Sequence, residues 1–377
     1  MINRLPSAQK FSFFLLSIIL VFYVLITARL FLYPLALGVL FAYLLYPLTN
    51  FLEKKRIPRI LAILLSIVLL LTVITFIVIF VYRRLGVFVG DFPTFRVKAI
   101  GRIDELEHSI SELFGIADLH LTDFLRSRVS GLFDAGSDVF NKAFTATTGT
   151  LFRMGIMPVF IFMFLYYRTK FAWFILKLVP RDKHLLALNV LREVSTVASR
   201  YMGGIFTVVF VLCIINSFGL YLAGIRYAIT LGVIAAIFNF IPYFGTIIGY
   251  SVPFVFALLT GDSAQQALHV LLLFAIVQFT ENNILTPNIV GNYVKINPFM
   301  IILGVIAGGM VWGLPGMFVV IPFLAILRII SEHIPLLHPY VYLLGTGGTR
   351  RHALTGENIR KFLNRFRDRK SEHPQNP

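Results

Sequence analysis

Apolar and polar positions alternate along this chain on the scale of whole helices. Apolar runs extend from Phe11 to about Ala28, Leu30 to about Leu52, Ile60 to about Tyr82, Gly149 to Tyr167, Tyr201 to Ala223 and Gln265 to Leu285. Each approaches the roughly 20 residues that carry a helix across about 30 Å of hydrocarbon. Two further stretches, 228–260 and 298–330, are longer and broken in the middle, at Ile241-Pro242-Tyr243-Phe244-Gly245 and Gly313-Leu314-Pro315-Gly316. Pro removes a backbone donor and clashes with the preceding turn. Backbone groups freed at membrane depth are tolerated only where protein or a water-filled cavity satisfies them. Paired, interrupted apolar segments therefore point to a transport site. The pattern predicts an all-α, polytopic helical membrane protein of about eight transmembrane helices, two of them Pro/Gly-broken.

Between the third and fourth runs the pattern changes. Residues 83–148 hold eight Lys/Arg and nine Asp/Glu. Val97, Ile100, Ile103, Leu106, Ile110 and Leu113 recur at helical spacing, and Leu121, Leu125, Val129, Leu132 and Phe133 continue such a face. This predicts an extramembrane helical insertion, an amphipathic hairpin whose stripe packs on its partner helix or on a neighbouring subunit. The chain then divides into transmembrane helices 1–3 (1–82), the insertion (83–148), helix 4 with an amphipathic connection (149–200), the two broken segments with helices 5–8 (201–330) and a basic tail (331–377). The first run is read as an anchor, since no small-x-small cleavage pattern follows it.

Composition agrees: 58% of residues are hydrophobic and 14% charged, against about 25% charged in soluble domains. Mean hydropathy is +0.82. The formal charge of +16 is read as membrane-surface anchoring and not as a nucleic-acid site, because basic residues cluster at the ends of apolar runs. The N-terminus, the Glu53–Arg59 loop, the 168–200 connection (seven Lys/Arg, two acids) and the tail are the basic connections. The positive-inside rule places all four in the cytoplasm, with both termini inside and the insertion outside the cytoplasmic (inner) membrane.

Leu231-Gly232-Val233-Ile234-Ala235 recurs as Leu303-Gly304-Val305-Ile306-Ala307, each copy followed by a break and a further Pro. With eight crossings the two copies run in the same direction, as a parallel repeat; chance recurrence of an apolar pentapeptide is the alternative. Between Asp182 and Glu332 the acids are Glu193, Asp262 and Glu281. Asp262 falls at an aqueous turn, and Glu281 near or within the outer part of the seventh span. On a helix Gln278, Glu281, Asn282 and Leu285 share a face; Asn239 precedes the first break, and Asn288 follows between Pro287 and Gly291. An ionisable residue within a membrane is a functional hypothesis by default. Carboxylate and amide oxygens, with carbonyls freed at helix breaks, suit a hard cation or a polar solute. A structural pairing of Glu281 with Lys295 or Arg226 is the alternative.

No H-E-x-x-H, Gly-x-Ser-x-Gly or Walker A pattern occurs, so neither an enzyme nor an ATP-driven pump is expected. The single cysteine, Cys213, lies inside a span, and neither a metal site nor a cofactor is expected.

Phe240-Ile241-Pro242-Tyr243-Phe244-Gly245 and Glu281-Asn282-Asn283-Ile284-Leu285-Thr286-Pro287-Asn288-Ile289-Val290-Gly291 resemble the signature segments of the autoinducer-2 exporter family of permeases. Gly308-Gly309, Gly313-Leu314-Pro315-Gly316-Met317, Ile321-Pro322 and the Tyr46-Pro47-Leu48 end of the second run extend the resemblance over roughly residues 10–335. Asn297 stands before Pro298 where the family more often has His, which puts a proton-linked role at that position in doubt. The resemblance implies about eight helices, an extramembrane insertion and a homo-oligomer. It also implies export of a small signalling molecule or Na⁺(Li⁺)/H⁺ antiport. The expected function is therefore a secondary transporter whose partners are the lipid bilayer and a small polar solute or Na⁺/H⁺. The site residues would be Glu281, Asn282, Gln278, Asn239 and Asn288, and the breaks Pro242, Gly245, Pro315, Gly316, Pro287 and Gly291. A membrane scaffold acting through the insertion is the alternative.

Overall fold

The computed structural model describes residues 7–114, 123–138, 142, 155–261, 263–291 and 295–346. Among these residues every named element is helical, with one isolated β-bridge between Ile296 and Gly345. Helices α1 (Ser7–Thr27), α2 (Arg29–Lys54) and α3 (Arg59–Gly90) lead into α4 (Phe92–Phe114) and α5 (123–138). Next come α6 (Met157–Tyr166), α7 (Arg168–Leu178), α8 (His184–Leu222), α9 (Ala228–Phe238), α10 (Phe244–Thr260) and α11 (Ala264–Thr280). A π-helical turn, Glu281–Leu285, joins α11 to α12 (Thr286–Ile289); α13 (Pro298–Trp312), α14 (Leu314–His333) and α15 (His338–Leu344) complete the order.

Five described helices or helical runs are long and apolar enough to cross a membrane, or six if the α6–α7 pair, bent by 63°, counts as one. Their outward faces are apolar: Phe76 on α3 is 70% exposed and Phe279 on α11 67%. Apolar surface on that scale is suited to lipid, not water.

Contacts sort the connections into two ends. At one end, Arg168 pairs with Glu53, Arg59 donates to the Leu165 carbonyl, and His333 lies 3.9 Å from Glu193. The basic loop, the 168–200 connection and the end of α14 thus share a basic end. At the other, α4 and α5 pair antiparallel, with Asp104 bonded to Arg126 at 2.7 Å and Arg96 3.7 Å from Asp134. This insertion grips the turns at either end of the first interrupted stretch: Asp91 accepts from the Tyr227 hydroxyl, and Arg102 donates to the Gly261 carbonyl at 2.8 Å. Phe88, Phe95, Tyr227 and Phe256 pack ring to ring at the same junction.

The interrupted stretches do not run on across the fold; each turns back on itself. A Cβ on Gly245 would fall 1.7 Å from the Phe238 carbonyl oxygen, and one on Gly249 2.8 Å from that of Ala235. α9 and α10 are therefore an antiparallel hairpin that starts and ends at the insertion end. The same holds for α13 and α14, where Gly308 and Gly316 approach backbone to backbone. That hairpin starts and ends at the basic end, since the carbonyl of Lys295, just before α13, accepts from Arg328 near the end of α14. Residues lacking a Cβ are what allow such close approach. The two pentapeptide copies consequently point in opposite directions, not in parallel as eight crossings require.

Other expectations shift as well. The amphipathic connection and fifth span are one 39-residue helix, α8. The third span continues to Gly90. The fourth bends after Tyr166, and the segment that holds Pro287 and Asn288 is helical, Thr286–Ile289. In the insertion the buried face is Phe95, Ala99, Ile103 and Val129, while Val97 is 72% and Leu132 58% exposed. The α4 stripe is offset because Phe95, two residues N-terminal to the read periodicity, anchors it. The side chains of Leu106, Ile110 and Leu113, with Leu121, Asp262, the tail beyond 346 and residues 149–154, lie outside the described residues.

Two predictions follow from the hairpins. Ser263→Cys and Ser111→Cys, each in a Cys213→Ser background, should react with an impermeant thiol reagent from the same side of the membrane; reaction from opposite sides would make 228–260 a crossing. Gly245→Ala should lower unfolding stability by about 1–3 kcal/mol or more through overpacking. Gly203→Ala, in the middle of α8 where a Cβ meets nothing within 4 Å, should not lower it, and the gain in helix propensity should raise it by up to about 1 kcal/mol.

Candidate functional site

The site forms at the tip of the first hairpin. Pro242 has no N–H to continue α9, and the chain reverses through Tyr243 at φ 65°, ψ −59°. The Phe244 amide donates to the Pro242 carbonyl at 2.8 Å. This is a γ-turn of the strained hand, costing on the order of 1–3 kcal/mol. Asn239, one residue past α9, is held by Thr246, whose hydroxyl donates to Asn239 Oδ1 at 3.0 Å. That bond turns the Asn239 amide nitrogen toward α11.

The other half comes from α11. Antiparallel to α8, it starts at the insertion end: Gly224 faces Gln266, Gly219 faces Leu273 and Gly204 faces Val290. Sixteen residues separate Gln265 from Glu281, about 24 Å at 1.5 Å per residue. Glu281 therefore lies away from the insertion end, whereas eight crossings would bring the end of this span to the insertion side. There the helix widens into its π turn, with the Thr286 amide donating to the Glu281 carbonyl five residues back. Pro287 explains the widening, since it cannot donate and its ring would press on the Asn283 carbonyl in a regular helix. Such π bulges recur at functional sites.

Glu281 is buried, 7% exposed. Its Oε1 accepts from Asn239 Nδ2 at 2.5 Å. Its Oε2 is buried without a hydrogen-bond partner among the described residues, as is Gln278 Oε1. Leaving a carboxylate oxygen so placed costs several kcal/mol, unless a proton or a cation meets it. Gln278 donates through Nε2 to Asn282 Oδ1 at 3.0 Å.

These groups line a cavity of about 500 Å³. It runs from the hairpin tip at Pro242, Tyr243 and Thr246 toward the basic end, where Tyr201, Gly291 and Ile301 face it. Toward the insertion end it is closed by packed side chains, with Leu212 and Ala236 0% and Val277 3% exposed. Phe206, Phe240 and Phe318 wedge the tip between α8 and α14, with centroids 5.2 to 6.5 Å apart.

Of the expected residues, Glu281, Asn282, Gln278 and Asn239 meet in this cavity, with Pro242 and Gly291 in its wall. Asn288 is exposed and lies outside it. Gly245 supports the tip without lining the cavity, and Pro287 sets the π turn. Pro315 and Gly316 form the second tip, which packs elsewhere: Trp312 donates to the Leu25 carbonyl of α1 at 2.9 Å. Neither charged partner considered for Glu281 serves it among the described residues: Arg226 lies 3.8 Å from Asp91, and Glu281 bonds only to Asn239, with no ion pair to Lys295. Sequence reasoning missed Thr246 and Tyr201. Thr246 sits next to Gly245, so a hairpin at the break would have brought it opposite Asn239. Among the described residues no group of three or more His, Cys, Asp or Glu comes together.

Comparison with known proteins agrees with this architecture. The profile of the AI-2E family transporter matches residues 13–336. Relatives include YrrI of Bacillus subtilis (strain 168), 27% identical over 80% of this chain and 85% of its own length. YueF of the same organism is 28% identical over 78% and 82%, and YhhT of Escherichia coli (strain K12) 24% identical over 79% and 83%. Each bears a name that makes it a candidate transport protein. With a profile match over nearly the whole chain and a multi-pass helical fold to carry it, this chain belongs to the AI-2E transporter family of membrane proteins.

Proposed function

We propose that the chain is a secondary transporter in which Glu281 alternately holds a proton and its cargo at the tip of the first hairpin. The observation that carries this reading is the buried Glu281 Oε2, without a partner, in a cavity shared with Gln278 and Asn282. Competition for one carboxylate oxygen couples two solutes without further machinery, because one charge occupies it at a time. Exchange of Na⁺ or Li⁺ for H⁺ is the simplest form. The cavity volume, about 500 Å³, also leaves room for a second form, export of a small polar molecule of the autoinducer-2 kind, since spaces of roughly 300–1,000 Å³ suit small ligands.

The same reading puts the protein in the cytoplasmic membrane with both termini inside and the insertion outside; the gathering of Lys and Arg at one end supports it. Exposed Val97 and Leu132 give the insertion an apolar surface for homo-oligomer contacts. Packing that closes the cavity toward the insertion end corresponds to one side of an alternating cycle.

The test is flux in proteoliposomes with Na⁺, Li⁺ and small polar metabolites across an imposed pH gradient. Glu281→Gln keeps an oxygen for Asn239 but cannot titrate. It should insert normally and lose the pH dependence of transport, or transport itself. A wild-type rate with an unchanged pH profile would reduce Glu281 to a structural role.

A further inference from the structure

A second, shallow and largely open cavity of about 500 Å³ lies at the basic end, between the start of α3 and the bend that joins α6 to α7. Arg59 lines it from one side; Tyr166, Tyr167, Thr169 and Lys170 line it from the other. The charges around it do not balance. Glu53, the acid beside this cluster, pairs through one carboxylate oxygen with Arg168, whose guanidinium also lies 5.1 Å from the Tyr46 ring; its other oxygen is buried without a partner among the described residues. Arg59 donates only to neutral oxygens, the Leu165 carbonyl at 2.8 Å and the Thr169 hydroxyl at 3.4 Å, and its Nε is buried without a partner. Lys170 lies over the Tyr167 ring at 5.6 Å. Among the described residues neither Arg59 nor Lys170 has a carboxylate at ion-pair distance. A fixed guanidinium, a hydroxyl and an ammonium around one cavity are a phosphate-binding set.

The surroundings indicate which phosphate. α7 leaves α6 at 63°. It exposes Trp173 by 61%, Phe174 by 60% and Leu178 by 70%, beside Arg168, Lys170 and Lys177. α7 mixes aromatic and basic side chains on one exposed surface, the composition of the membrane–water interface, where rings sit at headgroup level and Lys and Arg meet phosphates. Leading away from the cavity along α3, Leu61, Leu64, Leu65 and Val68 are exposed and apolar. A phosphate in the cavity therefore has an acyl-chain path beside it.

We propose that this cavity binds the phosphate of an anionic phospholipid, with Arg59 and Lys170 as its ligands and the lipid tails against α3. The lipid bridges α3 to the α6–α7 bend, and the site is independent of the Glu281 cavity. Basic cavities between membrane helices recognise anionic headgroups in this way.

The experiment uses the full-length protein in detergent, with lipid binding read by native mass spectrometry and by thermal unfolding. The probes are dioleoylphosphatidylglycerol, dioleoylphosphatidylcholine and inorganic phosphate. The phosphatidylglycerol should bind and raise the melting temperature, and the other two should not at the same concentration. Each cation removed should weaken phosphatidylglycerol binding about five-fold, so Lys170→Gln loses about five-fold and Arg59→Gln with Lys170→Gln about 25-fold. Lys177→Gln, on the same helix but outside the cavity, should bind as the wild type does. Should the Arg59 variant fail to fold, Lys170→Gln decides alone, since its described contact is a ring face. Wild-type affinity in Lys170→Gln, an equal loss in Lys177→Gln, or equal binding of phosphatidylcholine would each overturn the proposal. Stabilisation by inorganic phosphate matching that by phosphatidylglycerol would also overturn it, making the cavity a free-anion site.

Discussion

The hydrogen bond from Asn239 to Glu281 joins the tip of a hairpin to the widened turn of the helix beside it, inside an apolar environment. Both groups are largely withdrawn from bulk solvent, so the bond satisfies a donor and an acceptor that would be costly to leave unpaired. The rest of the central architecture serves that meeting. Pro242 ends α9, the strained turn at Tyr243 reverses the chain, and Gly245 and Gly249 let α10 return against α9. On the facing side Pro287 widens the helix at Glu281. Thr246 fixes the Asn239 amide so that its nitrogen, not its oxygen, faces the carboxylate.

One bond satisfies only one carboxylate oxygen. The other is buried and unmatched among the described residues, which makes the junction sensitive to whatever small charge reaches it. The two hairpins enter from opposite ends, and the cavity lies between the tip of the first and the flank of the second, at Ile301 and Ile321. An arrangement with opposed entry offers access from either end by moving one hairpin against the other. The insertion is fastened to both roots of the first hairpin through Asp91 and Arg102, so whatever moves that hairpin also strains the insertion.

Much of this was legible in the sequence, and what was not has a physical reason. Apolar run length gives the helices, and the scarcity of acids isolates Glu281 as a group that a membrane must explain. Asn239, Gln278 and Asn282 were found by proximity to a break or by helical spacing. The hairpins were not legible, because a Pro/Gly break looks the same in a kinked crossing and in a reversal. Only the glycines that face the backbone across each break, Gly245 and Gly249 against Phe238 and Ala235, or Gly308 against Gly316, carry the difference. Asn288 misled because the π turn rotates everything after Glu281 relative to a regular helix. The offset stripe in α4 reflects tertiary choice, since Phe95 finds aromatic partners in Tyr227 and Phe256 that lie far away in the sequence.

The central claim is that the free oxygen of Glu281 is satisfied in turn by a proton and by a cation. Infrared difference spectroscopy of the reconstituted protein tests it at the bond concerned. Adding Na⁺ to protein equilibrated in a non-binding cation should bleach a protonated-carboxyl C=O band and raise carboxylate bands, and Glu281→Gln should lack both changes. A spectrum in which Na⁺ leaves the carboxyl region untouched, or in which Glu281→Gln responds as the wild type does, would contradict the account.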